Sequence, residues 1–186
     1  MVRSELGLNP WDVFHQGLAQ LTGLSLGMIV IIIGAAVLLL WIPLRQRPGI
    51  GTISNVFLIG IWADISLWLI PPANGMPLAW AMLLGGVFLN GIAGGAYIGA
   101  GLGPGPRDGL MTGLVIRTGK SVRLVRTGIE AAVVAAGWAL GGTLGIGTLL
   151  YAISIGPLVH RMLPLFTIND QDEAPSIATG GCPQPR

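Results

Sequence analysis

The sequence predicts an all-α fold. It is a polytopic membrane helical bundle of five transmembrane helices, arranged as an inverted-topology repeat of three spans plus a short half-helix, with the first span missing. Three observations predict it. The chain has 186 residues, 52% of them hydrophobic and 10% charged, where a soluble domain carries about 25% charged residues. Residues 6–70 and 102–166 repeat one pattern at a constant offset of 96, without gaps. Basic residues gather in two loops that two intervening helices place on one side of a bilayer.

The apolar stretches are Leu26–Leu44, Ile53–Ile70, Leu78–Ala100 and Ala131–Leu165, the last broken by Gly141-Gly142-Thr143-Leu144-Gly145 and long enough for two spans. A bilayer core needs about 20 apolar residues per helix. These stretches lack a polar face, which argues against a soluble amphipathic bundle.

The repeat matches turn-forming and polar residues, not merely Leu with Leu. Leu6-Gly7-x-x-Pro10-x-Asp12 returns as Leu102-Gly103-x-x-Pro106-x-Asp108, and Thr22-Gly23-x-Ser25 as Thr118-Gly119-x-Ser121. Gly49-Ile50-Gly51-Thr52 returns as Gly145-Ile146-Gly147-Thr148. The copies divide the chain into a first repeat, 1–77, a second, 78–166, and a polar Pro-containing tail, 167–186, expected to be disordered and cytoplasmic.

In chain order, Asn9 suits an N-cap, Pro10 the first helical position and Asp12 the first turn of a short helix that Thr22-Gly23 ends. About twelve residues cannot span a bilayer, so this helix is either interfacial or re-entrant. A span over Leu26–Leu44 stops at Arg45-Gln46-Arg47-Pro48. The glycine segment 49–52 is expected as a turn, followed by a span over Ile53–Ile70, a Pro-rich loop and a span over Leu78–Ala100. The second copy then gives a turn at Gly103–Pro106, a short helix to Arg117, a basic loop, a span over Thr127–Leu140, a glycine turn at 145–148 and a span over Leu149–Leu165. A full span precedes Gly103 but none precedes Gly7, so the expectation is a chain shortened relative to a six-helix parent.

Arg45 and Arg47 mark one basic loop, and Arg107, Arg117, Lys120, Arg123 and Arg126 mark another basic region. The positive-inside rule makes that side cytoplasmic. Three spans per copy is an odd number, which inverts the second copy against the first. The expected location is a bacterial inner membrane, multi-pass, with the C-terminus in the cytoplasm.

Several residues carry potential chemistry. Asp12 and Asp108, with Pro10, Pro106, Arg107 and Asn90, are candidates for a substrate path. The plain alternatives are helix capping for the acids and an interhelical hydrogen bond for Asn90. Glu130, Arg126, Asp64 and His160 are candidates for ion coupling. Charge at mid-bilayer costs roughly 2.5–3.5 kcal/mol, so Asp64 should face protein or water. Asp64 and His160 are repeat equivalents, for which snorkelling is the bland reading. Arg126 and Glu130, four apart, also suit a local ion pair. Gly91, Gly95 and Gly99 form a close-packing face, within one chain or between two in a homodimer. Gly49, Gly51, Thr52, Gly145, Gly147 and Thr148 are the repeated turn residues.

Other chemistry is excluded. A net charge of +2 gives no nucleic-acid footprint. Cys182 is the only cysteine, and with His15 and His160 it forms no metal pattern. Gly119-Lys120-Ser121 lacks the earlier glycine of a phosphate loop, because position 114 is Leu114. Gly101-x-Gly103-x-Gly105 has the wrong spacing for a dinucleotide fingerprint. No cofactor, metal or enzymatic set is expected, and Met1–Gln20 lacks a cleavable signal pattern.

The strings Leu6-Gly7-Leu8-Asn9-Pro10-Trp11-Asp12, Arg47-Pro48-Gly49-Ile50-Gly51-Thr52, Gly103-Pro104-Gly105-Pro106-Arg107-Asp108 and Arg126-Thr127-x-Ile129-Glu130 resemble bacterial integral membrane proteins of the YczE/YyaS/YitT type. The resemblance spans residues 6–165 and implies an inner-membrane protein, without supplying an activity. The functional expectation is a small secondary transporter or exporter of an unknown small-molecule substrate, embedded in the lipid bilayer. The alternative is a non-transporting scaffold or accessory protein acting through glycine-rich helix faces. Transport calls for a polar cavity lined by the acids; a scaffold calls for a tight interior and an exposed glycine face.

Overall fold

The computed structural model describes residues 1–100 and 103–166. The tail expected over 167–186, with Cys182, lies outside the described residues, as do Gly101 and Leu102. Among the described residues all regular structure is helical. A 3₁₀ turn at Val2–Ser4 precedes α1 (Pro10–Thr22), α2 (Leu26–Leu44), α3 (Ile50–Leu69), α4 (Met76–Gly99), α5 (Pro106–Thr118), α6 (Val122–Ala139) and α7 (Ile146–Phe166).

The short helices form as their punctuation dictates. Asn9 caps α1 and Pro10 opens it; Gly23, at φ 72°, ends it with its N–H on the carbonyl of Ala19. Pro106 opens α5, and Gly119, at φ 66°, ends it on the carbonyl of Val115. Each is 13 residues long, about 20 Å at 1.5 Å per residue and too short to cross a bilayer core.

Four helices are long and apolar enough to cross a membrane: α2, α3, α4 and α7. The fifth expected span, α6, is not among them. Its helix begins at Val122 rather than Thr127, because the Ser121 hydroxyl accepts from Leu124 N and caps it early. The helix thereby takes in Arg123 and Arg126 along with Glu130. The glycine segments also differ from expectation. They are not free turns: α3 and α7 start at Ile50 and Ile146, so Gly51-Thr52 and Gly147-Thr148 belong to first helical turns. At α3 the reason is reciprocal capping, in which Gly49 N donates to Thr52 Oγ1 at 3.2 Å.

The bundle is apolar outside. Trp68, Leu39 and Leu149 are largely exposed, whereas the main buried cluster is Trp11, Val37 and Trp41. That distribution suits lipid as the surrounding solvent. Helix pairing follows the small residues. α4 packs on α7, where Cβ atoms at Gly91, Gly95 and Gly99 would strike Leu158, Met162 and Phe166. α1 packs on α6, α5 on α2, and α2 on α3. A Cβ at Gly27 of α2 would collide with the carbonyl of Gly60 in α3.

Contacts between the two halves come in pairs. Leu8 N donates to Thr148 Oγ1 at 3.2 Å, and Thr52 Oγ1 donates to the carbonyl of Pro104 at 2.7 Å. Residues 8 and 104 are 96 apart, as are 52 and 148. Gly7 and Gly103 both adopt positive φ, 128° and 113°. A Cβ on Gly7 would press on Thr148 and Gly145, and one on Gly103 on Thr52 and Gly49. Only glycine combines that backbone with that approach.

Candidate functional site

The N-terminal ends of α1 and α5 meet in the middle of the bundle and open on a cavity of about 870 Å³. All seven α-helices contribute to its wall. Pro10, Asp12, Asn90, Pro106, Arg107, Asp108, Arg126 and Glu130, drawn from four helices, all line it.

α5 is oriented by Trp41, a fully buried side chain of α2. Its indole Nε1 donates to the carbonyl of Pro106 at 3.0 Å, and its ring occupies the space left by Gly109. This contact holds the first turn of α5 against α2 and directs Arg107 and Asp108 into the cavity. The Arg107 guanidinium lies over the Trp11 ring, 4.8 Å from its centroid. Such stacking is worth about 0.5–2 kcal/mol, depending on desolvation. Trp11 and Arg107 are themselves 96 positions apart.

The N-terminal ends of the two short helices differ in how they satisfy their polar groups. In α1, the Asn9 side chain accepts from Asp12 N at 2.9 Å, and its amide donates to Asp12 Oδ2. His15 Nδ1 stands 3.4 Å from Asp12 Oδ1, with the ring buried. In α5 the N-cap position is Gly105, which brings no side chain to the first turn. Among the described residues, neither Arg107 nor Asp108 has an ion pair within 4 Å, and neither side chain makes a hydrogen bond. The buried Tyr97 hydroxyl also lacks a hydrogen-bond partner among them. It sits beside Gly105, where a Cβ would approach it to 2.7 Å. Across the cavity, Arg126 Nε donates to Glu130 Oε1 at 3.0 Å, the i,i+4 pair that the spacing suggests.

Asp64 and His160 lie elsewhere. Asp64 caps the start of α2: its carboxylate accepts from Ser25 Oγ at 2.5 Å and from Gly27 N at 2.7 Å. His160 is exposed on α7. Neither lines the cavity. Gly91, Gly95 and Gly99 are occupied by α7, and Gly147 N donates to the carbonyl of Leu6 at 2.8 Å. Sequence reasoning missed Trp11, His15, Asn55, Tyr97 and Tyr151 of the lining. For one of them the repeat held the signal: Trp11 is the equivalent of Arg107, whereas Asn55 and Tyr151 are equivalents of each other and neither stood out. Among the described residues no three His, Cys, Asp or Glu side chains converge to hold a metal ion.

A comparison with protein families decides what this cavity belongs to. The family described as a family of unknown function, DUF6198, matches residues 1–164. The chain belongs to that family. It is 38% identical over 163 residues to an uncharacterized protein of Haemophilus influenzae, covering 88% of this chain and 75% of that one. It is 39% identical over 160 residues to the uncharacterized membrane protein YczE of Bacillus subtilis, covering 86% and 74%. The uncharacterized protein YyaS of Bacillus subtilis is 28% identical over 172 residues, covering 88% and 84%. No solved structure matches. The YczE-type resemblance therefore holds, and this DUF6198 member is a helical membrane protein.

Proposed function

We propose that this chain is a small secondary transporter or exporter that works by alternating access. Its moving parts are two inverted halves, 1–77 with two spans and 78–166 with three, counting α6 as a fifth span and α1 and α5 as re-entrant half-helices. The observation that carries the reading is the cavity between the halves, lined by Asp12, Arg107, Asp108, Arg126 and Glu130. Charged groups inside a membrane bundle are expensive to keep and mark a substrate or ion pathway by default. The paired contacts of Thr52 and Thr148 support the inversion. The scaffold alternative wants an exposed glycine face, whereas Gly91, Gly95 and Gly99 are covered by α7.

An asymmetry between the halves supports alternation. α2 and α3 pack against each other, sealed by the Asp64 cap and the Gly27–Gly60 contact. Their equivalents, α6 and α7, make at most marginal contact among the described residues, and Gly156, the equivalent of Gly60, has open space beside it. With the basic loops inside, α2 and α3 close the outer end and the gap between α6 and α7 opens to the cytoplasm, where the C-terminus also lies. The opposite state exchanges the two arrangements. Glu130 is the candidate for proton coupling.

The test is accessibility. A single cysteine at Asn90→Cys, in a Cys182→Ser background, is exposed to a membrane-impermeant maleimide in right-side-out and in inverted vesicles. Labelling from both sides is expected. Labelling from one side only, or from neither, sinks the transporter reading.

A further inference from the structure

We infer that the substrate is a zwitterion of the amino-acid class, with its carboxylate on Arg107, its ammonium on Asp108 and an apolar body in the cavity. The inference rests on the transport reading above and names the chemistry of that site.

The two copies of the half-helix supply the argument. The first is self-satisfied: Asn9 caps the helix, and Asp12 is held by Asn9 and His15. In the second, each of these partners has been exchanged. Asn9 becomes Gly105, which brings no cap, and His15 becomes Met111, which cannot hydrogen-bond a carboxylate in the same way. Trp11 becomes Arg107, so a cation is added where the first copy has none. Arg107, Asp108 and the Tyr97 hydroxyl are left at one place without hydrogen-bond or ion-pair partners among the described residues. Charges inside a membrane bundle normally pair with each other or with backbone, whereas Arg107 is partly buried and Asp108 exposed.

Arg107 and Asp108 feel each other's charge, as Arg107 feels that of Asp12 and Asp108 that of Arg126, but none of these makes an ion pair within 4 Å. Arg107 and Asp108 are consecutive on a helix, so their side chains diverge by about 100°. A ligand that satisfies both must carry both charges. The Arg107 guanidinium lies over the Trp11 ring without a hydrogen-bond partner among the described residues, and its planar fork suits the bidentate geometry that a carboxylate accepts. The uncapped first turn of α5 adds backbone N–H groups of favourable sign for the same anion. Asp108 is then the group for the ammonium. Val30, Ile33, Ile59, Leu89 and Ile155 provide apolar wall for the side chain. A volume of about 870 Å³ is that of a small-organic-molecule site and far exceeds an inorganic ion.

The experiment uses the full chain, purified in detergent, and three matched probes: L-leucine, 3-methylbutylamine, which lacks the carboxylate, and 4-methylpentanoate, which lacks the amine. Binding is read by calorimetry and by the tryptophan fluorescence to which Trp11 contributes. Leucine should bind at least about tenfold more tightly than either single-charge probe. Arg107→Gln should weaken leucine and the acid but not the amine, and Asp108→Asn should weaken leucine and the amine but not the acid. Arg107→Lys keeps the charge without the fork and should recover part of the affinity, which separates ligand binding from a folding defect. Equal binding of the amine makes the cavity a cation site, and equal binding of the acid makes it an anion site. Either result overturns the inference, as does absence of binding by all three. Two-sided labelling at Asn90 without zwitterion binding removes only this inference. One-sided labelling with zwitterion binding removes the transport reading and leaves the site.

Discussion

At the scale of single residues, Asp64 shows how a charge in an apolar stretch finds a structural use. Sequence spacing gives its depth but not its partners, because Ser25 and Gly27 lie 39 and 37 residues away. Its carboxylate satisfies a backbone N–H and a hydroxyl at the start of α2. Asp64→Ala removes both acceptor contacts and should destabilise the protein by about 1.5–3 kcal/mol, the range for hydrogen bonds to a charged group. Asp64→Asn keeps one acceptor oxygen and should cost less. Thermal unfolding in detergent checks the order; equal melting of Asp64→Ala and the parent would show that the cap contributes nothing. The threonines give a paired expectation. Thr148→Val deletes one hydrogen bond between the halves and should cost about 1 kcal/mol, whereas Thr52→Val deletes one between the halves and the cap from Gly49 N and should cost about 2 kcal/mol. The two sites share no partner, so the double variant should lose the sum.

At the scale of elements, glycines of one composition have opposite roles, and only packing distinguishes them. Gly95 of α4 touches Met162 and Leu163 of α7, so a Cβ there would come within 2.8 Å of Met162. Gly128, inside α6, has nothing within 4 Å. Gly95→Val should push α4 off α7 and cost at least about 1–3 kcal/mol, as overpacking does. Gly128→Ala should instead stabilise α6 by about 0.4–1 kcal/mol, through lower backbone entropy in the unfolded chain. Melting temperatures that move in the same direction for both would contradict the assigned packing. Four-residue glycine spacing made the α4 face legible in the sequence. The partner was not legible, because many apolar helices could cover such a face. Likewise the limits of α2 were readable to the residue, whereas α6 began five residues earlier than its hydropathy suggested, since Ser121 caps it ahead of the apolar run.

At the scale of the whole molecule, the offset of 96 carried most of the site. It paired Asp12 with Asp108 and placed both at corresponding helix starts, and both line the cavity. It did not reveal that the copies satisfy their polar groups differently, because that depends on contacts to Trp11, Tyr97 and His15 that no spacing specifies. The same offset now gives a distance expectation for a conformation not observed. Gly27 and Gly60 touch where α2 meets α3; their equivalents are Arg123 and Gly156, on helices that stand apart. If the halves exchange arrangements, Arg123 and Gly156 must approach as closely as Gly27 and Gly60 do now. In a Cys182→Ser background, Arg123→Cys with Gly156→Cys should form a disulfide slowly under mild oxidation, at a rate set by the population of the exchanged state. Gly94→Cys with Val159→Cys, already in contact at 3.0 Å from the Gly94 Cβ position, should form quickly and serves as the control. Once locked, the first pair should abolish maleimide labelling of Asn90→Cys from the cytoplasmic side and leave labelling from the outside. A control that cross-links while Arg123→Cys and Gly156→Cys never do would mean that the halves are fixed, with the cavity a permanent one-sided pocket.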